Sequence, residues 1–218
     1  MLPLVVLISG AGSNLRAIHE AIEGGRCQAR IAAVISDRTK AKGLAFASAH
    51  GIPTAAIRMR DYPDRQAWNL ALAEAVAQHR PSLIVLAGFM KIVDAGFVTR
   101  FAHRIINVHP ALLPLFPGTD APAQAIASGV RLSGCTVHLV DAGVDTGPIL
   151  AQAAVRVSPQ DTPDSLHARI QRAEHCLLPG VIDQVARGHL RLDGAPRWQA
   201  PDDQPDCFPA PSQLARYV

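Results

Sequence analysis

Asn107-Val108-His109-Pro110 places an amide and an imidazole two residues apart at the end of an apolar run. Side chains alternate along a strand, so Asn107 and His109 share a face there, and in open parallel sheets the strand's carboxyl end faces the ligand crevice. An Asn donates a hydrogen bond without changing charge, and a His donates either a hydrogen bond or a proton. Together they suit the oxyanion that develops in acyl transfer. The structural alternative is a His that caps a turn before Pro. Asp141-Ala-Gly-Val-Asp145-Thr-Gly-Pro148 offers two carboxylates in a Gly-rich loop, ordinarily turn formers. If that loop folds back, Asp145 pairs with His109 and favours the imidazolium, which makes a general acid. Ser9-Gly-Ala-Gly-Ser-Asn14 puts glycines after a buried strand and before a helix, where backbone N–H groups suit phosphate. A tight turn alone would also use those glycines. The segment lacks the third glycine of a dinucleotide fingerprint, because position 15 is Leu15, and no Gly-Lys-Ser/Thr follows as in a Walker loop. No Ser or Cys stands beside a base, so direct transfer is expected rather than a covalent enzyme intermediate.

Other polar residues offer less. His19, His50, His79 and His103 lie in or beside expected helices without ligand spacing, so they read as surface or capping residues and no metal site is expected. Glu174-His175 is either an exposed pair or faces the crevice.

These residues need a frame. Leu2 to Ser9 is a continuous apolar run, the mark of a strand buried on both faces. A helix is expected over Asn14 to Ile22, capped by Ser13 or Asn14 and ended by Gly24-Gly25. Strand Arg30–Ser36, helix Ala41–His50, strand Thr54–Ile57, helix Asp64–Arg80, strand Leu83–Ala87, helix Asp94–Phe101 and strand Arg104–Val108 continue the alternation. The fold class is therefore α/β, Rossmann-like: a mostly parallel sheet, right-handed crossovers and helices on both faces. From His109 to Gly118, three prolines in ten residues demand a shaped loop. Gly134–Val140 and Pro148–Val157 read as an antiparallel pair at one sheet edge, and Ser165–Arg187 as a long helix kinked or broken near Leu178 by Pro179-Gly180. From Gly194 onward, prolines at 196, 201, 205, 209 and 211 suggest an irregular surface strap or partial disorder.

Composition narrows the class. A chain of 218 residues is long enough for one large domain or two merged halves. Its longest aliphatic stretch falls far short of the roughly 20 residues of a membrane span, and no leader pattern follows Met1, so the expected home is the cytoplasm. Cys27, Cys135, Cys176 and Cys207 lie far apart and read as free thiols. A net charge of +3, spread along the chain, makes no case for nucleic acid.

On four ordered motifs the chain resembles the folate-dependent glycinamide ribonucleotide formyltransferases of purine biosynthesis. The motifs are Val5-Val-Leu-Ile-Ser-Gly-Ala-Gly-Ser-Asn-Leu15, Val85-Leu-Ala-Gly-Phe-Met-Lys-Ile92, Ile106-Asn-Val-His-Pro-Ala-Leu-Leu-Pro114 and Val144-Asp-Thr-Gly-Pro-Ile149. The resemblance runs from about residue 2 to 193. It implies that Gly12, Ser13 and Asn14 hold the ribonucleotide phosphate and Glu174 its ribose. Met90, Lys91, Ile92 and Val93, with Asn107, Val140 and Asp141, would line the folate site, and Arg65 would lie near the folate's glutamate tail. Asn107, His109 and Asp145 would form the catalytic trio, with 10-formyltetrahydrofolate as co-substrate and no metal. The implied layout is one formyltransferase domain over 1–193, its N-terminal half (about 1–100) on the phosphate side and its C-terminal half (about 101–193) carrying folate and catalytic loops, followed by a 194–218 tail. Implied partners are the two small substrates alone, with no nucleic acid or membrane, in a monomer or homodimer. The chain departs from the family at Thr119-Asp-Ala-Pro-Ala-Gln124, where a His-rich stretch is common. It also departs at Gln171, where some members carry Lys, and mildly at Cys135-Thr136.

The same core serves methionyl-tRNA formyltransferase, formyltetrahydrofolate deformylase and sugar-nucleotide formyltransferases. The first would be expected to add a C-terminal RNA-binding domain and the second a regulatory domain before the first strand. The alternatives are thus a formyltetrahydrofolate hydrolase, a transferase with another amine acceptor, or a non-catalytic folate- or phosphoribosyl-binding module.

Overall fold

The computed structural model describes residues 1–199; of the tail expected from Gly194, residues 200–218 lie outside the described residues. The elements run β1 (Leu2–Ile8), α1 (Ser13–Glu23), β2 (Ala29–Ser36), α2 (Lys42–Ala49), β3 (Thr54–Ala56), a 3-10 turn (Met59–Asp61), α3 (Arg65–Ala77), β4 (Leu83–Leu86), α4 (Ala95–Arg100) and β5 (Ile105–His109). Then come α5 (Ala121–Ala127), β6 (Leu132–Leu139), β7 (Ile149–Arg156), α6 (Pro163–Ala186), β8 (Leu190–Arg191) and β9 (Arg197–Trp198). The sheet has seven strands in the order β3-β2-β1-β4-β5-β6-β7, parallel from β3 to β5 and antiparallel where β6 meets β7. The expected α/β class with an antiparallel edge is what forms. Contacts divide the chain into two compact units, residues 1–107 and the chain from Val108 onward.

In the first unit, Leu4 to Ile8 of β1 are wholly buried, as a central parallel strand requires. The chain walks outward from β1 through β2 to β3, then returns to the other side of β1 with β4. Right-handed crossovers then put α1 and α2 on one face and α3 and α4 on the other, and α1 indeed touches α2 while α3 touches α4. The reversal between β1 and β4 is the topological switch point, where the strands' carboxyl ends leave room for a ligand. Asp64 caps α3 by accepting from Ala67 N at 2.7 Å, and Trp68 inside that helix donates to Ile57 O at 2.8 Å. Burying a large apolar side chain such as Trp68 is worth about 2–3 kcal/mol.

In the second unit, α6 packs on β6 and β7. Leu166, Ile170, Ala173, Leu177 and Val181 recur every three or four residues and are all buried, one helical stripe over the strand pair. Thr162 and Ser165 start it with a reciprocal capping box.

Four local expectations change. No side chain caps α1; its N-cap is Gly12 in the left-handed conformation. Helix α6 runs uninterrupted through Pro179, because its buried stripe outweighs one lost hydrogen bond, so the break near Leu178 does not occur. Helix α5 lies where no element was expected, started by Pro122 in its first turn, the position where a missing N–H costs nothing. Within the tail, Arg197–Trp198 pairs antiparallel with Leu190–Arg191.

Candidate active site

The loop after β1 depends on two glycines. Gly12 adopts φ 73°, and a Cβ there would stand 3.0 Å from the Gly43 Cα. Gly43 in turn donates from its backbone to Gly10 O at 3.1 Å, and a Cβ on it would come within 2.4 Å of Ile8 Cδ1. The start of α2 thus closes onto the loop. Ser13 and Asn14 open α1 with no side-chain cap, so its positive end is presented by backbone N–H groups. Asn14 is buried and Ser13 half-buried.

The same sheet edge gathers the second set of expected residues. Ser9 N donates to Gly88 O at 3.1 Å, and Met90 N donates to Ser9 Oγ at 2.8 Å. The segment after β4 is therefore tied to the glycine loop across the switch point. There Met90 and Ile92 are exposed apolar side chains, Lys91 is half-buried and Val93 buried. Arg65 donates to Ile92 O at 2.9 Å, so the four-residue segment and the basic residue expected together do lie together.

In the second unit, β5 ends on His109, and only 4% of that residue is exposed. Asn107, half-buried and in register with Leu86, lies two positions earlier on the same strand. The His109 Nδ1 is 3.3 Å from Asp145 Oδ2, and Nε2 lies 2.8 Å from the Phe116 carbonyl oxygen. Both ring nitrogens thus lie within reach of an oxygen atom. Asp145 Oδ2 also accepts from Gly118 N at 2.8 Å, and its Oδ1 is 3.5 Å from His138 Nε2. Burial alone would raise the Asp145 pKa. The hydrogen bonds from His138 and Gly118 and the charges of His109 and His138 outweigh it and hold the carboxyl below its usual range.

Rigid supports surround this pair. The three-proline loop is wired to the strands beside it: Thr136 Oγ1 donates to Ala111 O at 2.7 Å and accepts from Leu113 N at 3.0 Å, and Gln152 Nε2 donates to Leu113 O at 2.8 Å. Asp141 accepts from Gly143 N at 3.0 Å and Thr146 Oγ1 at 2.7 Å, which folds the loop that aims Asp145. Gly147 lets that loop pass close to β6, where a Cβ would sit 1.8 Å from Leu139 O. Phe116 and Asp145 both adopt left-handed backbone, φ 55° each, and such strain collects where a site over-determines its geometry. Val140, half-buried, joins β6 to this loop.

Glu174 is buried on α6, 5% exposed, with its charge near Cys135 of β6. Burial, with the Glu174 carboxylate adding to it, pushes the Cys135 thiol far above its ordinary range and leaves it inert as a nucleophile. Among the described residues, no group of three or more His, Cys, Asp and Glu is arranged to hold a metal, and no helix is long and apolar enough to cross a membrane.

Reasoning from sequence missed two residues. His138, 2% exposed, is the second imidazole on Asp145; it lies in the run Ser133–Leu139, buried throughout, where alternation singles out nothing. Asp37 follows β2 at the same edge as the glycine loop, 7% exposed, with Oδ1 lacking a hydrogen-bond partner. A carboxylate directly after an apolar strand was the available signal.

Residues 2–182 match the formyl transferase family model. A phosphoribosylglycinamide formyltransferase of Mycobacterium tuberculosis is 47% identical over 191 residues, 88% of each chain. One of Escherichia coli is 38% identical, over 89% of this chain and 92% of that one. The crystal structure of glycinamide ribonucleotide transformylase 1 from Symbiobacterium toebii superposes with a TM-score of 0.88 at 44% identity, covering 92% of this chain and 95% of that one. A formyltetrahydrofolate deformylase from Pseudomonas syringae reaches a TM-score of 0.82 at 26% identity, and 64% of its length is covered.

Proposed function

The chain belongs to the formyl transferase family, and from that premise we propose that Asn107, His109 and Asp145 carry out formyl transfer from 10-formyltetrahydrofolate to the primary amine of glycinamide ribonucleotide. The transferase activity is the family's, a step of purine biosynthesis. The amine attacks the formyl carbon and forms the new C–N bond. The carbonyl oxygen becomes an oxyanion that the Asn107 amide and the His109 imidazolium stabilise. Collapse breaks the bond to N10, which takes up a proton as tetrahydrofolate leaves, while the attacking nitrogen gives one up. Asp145 holds the positive charge on His109 throughout. Nε2, bonded to the Phe116 carbonyl, is the ring nitrogen left to exchange partners.

The observation that carries this reading is one ionised carboxylate fixed between two buried imidazoles, one of which ends the strand that carries Asn107 two residues earlier. Gly12, Ser13 and Asn14 take the ribonucleotide phosphate on backbone N–H groups, and Glu174 takes the ribose. Met90, Lys91, Ile92, Val93, Val140 and Asp141 line the folate site, with Arg65 toward the glutamate tail. We read 1–193 as one formyltransferase domain, with phosphate binding in its N-terminal half. The expected setting is the cytoplasm, as a monomer or homodimer without nucleic acid or membrane partner.

Tetrahydrofolate formation followed by absorbance tests the assignment. Product that appears only when glycinamide ribonucleotide is present supports it. Donor breakdown without the ribonucleotide would make the chain a hydrolase instead, and no turnover under either condition would leave a binding module.

A further inference from the structure

Ala77, Arg80, Pro81, Arg100, Phe101 and Arg104 line a surface cleft of about 330 Å³ that no part of the transfer chemistry uses. It lies where β4 and β5 begin, since Pro81 precedes β4 and Arg104 precedes β5, whereas the glycine loop follows the carboxyl end of β1 in the same parallel array. The cleft and the glycine loop thus occupy opposite edges of the sheet.

Three arginines line the cleft, and the ion pair formed there among the described residues is that of Arg100 with Glu74. Glu74 accepts from Arg100 Nη1 at 2.7 Å, and this pairing holds its carboxyl below the usual range. Arg104 donates one N–H to Arg100 O at 3.1 Å and forms no ion pair within the described residues. Its guanidinium carbon stands 5.6 Å from the centroid of the Phe101 ring, and that of Arg100 stands 5.7 Å away, so one buried ring orients both forks. Arg80 makes no side-chain hydrogen bond or ion pair within the described residues, and its backbone is left-handed at φ 45° after the end of α3. Glycine or asparagine is at ease in that position; a long cation is not. Basic residues near helix ends also complement the helix dipole, which accounts for Arg100 in the last turn of α4. It does not account for three arginines facing one concavity. A planar guanidinium fork matches two phosphate oxygens.

We propose that this cleft is a second anion site, which takes the phosphoryl groups of a small metabolite. Inorganic pyrophosphate and a nucleoside diphosphate share that chemistry.

Calorimetric titration of the whole chain, its substrate site first saturated with glycinamide ribonucleotide, tests the site. Pyrophosphate is expected to bind one further equivalent and to do so still at about 150 mM salt, where loose surface attraction is screened. The double variant Arg80→Gly/Arg104→Ala should weaken that binding at least tenfold, with catalytic turnover unchanged. Its melting temperature serves as the control for folding, and Arg80→Gly alone should raise that temperature by relieving the backbone while still weakening binding. Unchanged affinity in the double variant, or no binding at about 150 mM salt, would overturn the proposal. In the second arm, a nucleoside diphosphate that binds more tightly than pyrophosphate identifies a nucleotide site; equal affinities identify the phosphoryl group alone, and both results support the cleft.

Discussion

The loop from Gly10 to Asn14 offers backbone N–H groups at a helix start that no side chain caps, whereas the corner around His109 is built of buried side chains that already satisfy one another. Backbone amides do not titrate, and their direction is set by the chain's path, so the loop's demands are steric. They come down to two glycines that let β1, α1 and α2 close together. The His109 corner has the opposite character. Its geometry rests on strained backbone at Phe116 and Asp145 and on hydrogen bonds from Thr136 and Gln152, and its chemistry rests on protons. Recognition should therefore respond to shape, and turnover to charge.

Removing the acid makes the sharpest break. His109→Ala should lower kcat at least about a thousandfold, the combined scale of lost oxyanion stabilisation and general acid catalysis, with KM for the ribonucleotide within about threefold of the parent. Steady-state kinetics on a variant of unchanged melting temperature checks both halves. A KM that rises as steeply as kcat falls would mean that the two regions are not separate in function.

Asp145→Asn keeps the shape and removes the charge, and a loss of about a hundredfold in kcat is expected. Here pH enters with a definite sign. The carboxyl pKa is depressed in the folded state, so the pairing's contribution to stability is complete above the ordinary carboxylate range near pH 4. It is lost as pH falls through the lowered folded value. Acid unfolding curves of the parent should steepen in that window, and those of Asp145→Asn should lose the extra slope. His138→Gln then asks whether the second imidazole matters by holding Asp145. Losing that hydrogen bond raises the carboxyl pKa, so the acid limb of kcat/KM should move to higher pH while kcat falls about tenfold. A lower kcat with an unmoved acid limb would reduce His138 to packing.

How far the sequence revealed these two regions follows from the same contrast. The glycine loop was legible because its requirements are local: an apolar strand, glycines, then a helix. The parallel half of the fold was legible for the same reason, since strand and helix alternate with short connections. Asn107 and His109 were readable as a pair because β-alternation puts them on one face. The partnership of Asp145 with His109 was only conditional, since it depends on a loop folding back over 36 residues of chain. His138 was invisible because every residue from Ser133 to Leu139 is buried, so no periodicity separates a site residue from the core. The uninterrupted helix at Pro179 was missed for a related reason: tertiary burial outvoted a local rule. Helix α5 was hidden by weak propensity in Ala-Pro-Ala-Gln-Ala-Ile-Ala, which folds as a helix with Ala121, Pro122 and Ala125 buried.

The smallest expected change in kcat falls on the glycine loop. Gly12→Ala places a Cβ on a residue at φ 73°, which costs about 1–2 kcal/mol, and brings that carbon to 3.0 Å from the Gly43 Cα, a backbone atom with little room to yield. For a chain of this length, each kcal/mol lowers the melting temperature by about 2–4 °C. The loop would meet the strain by opening away from α2, and its N–H groups would no longer converge on one phosphate. The loss is one of uniform binding, shared by ground state and transition state. KM for the ribonucleotide should therefore rise about tenfold while kcat holds within about twofold. If Gly12→Ala instead lowered kcat as far as His138→Gln does, the loop would be orienting the attacking amine as well as holding the phosphate, and the division between a region that recognises and a region that reacts would fail at its first residue.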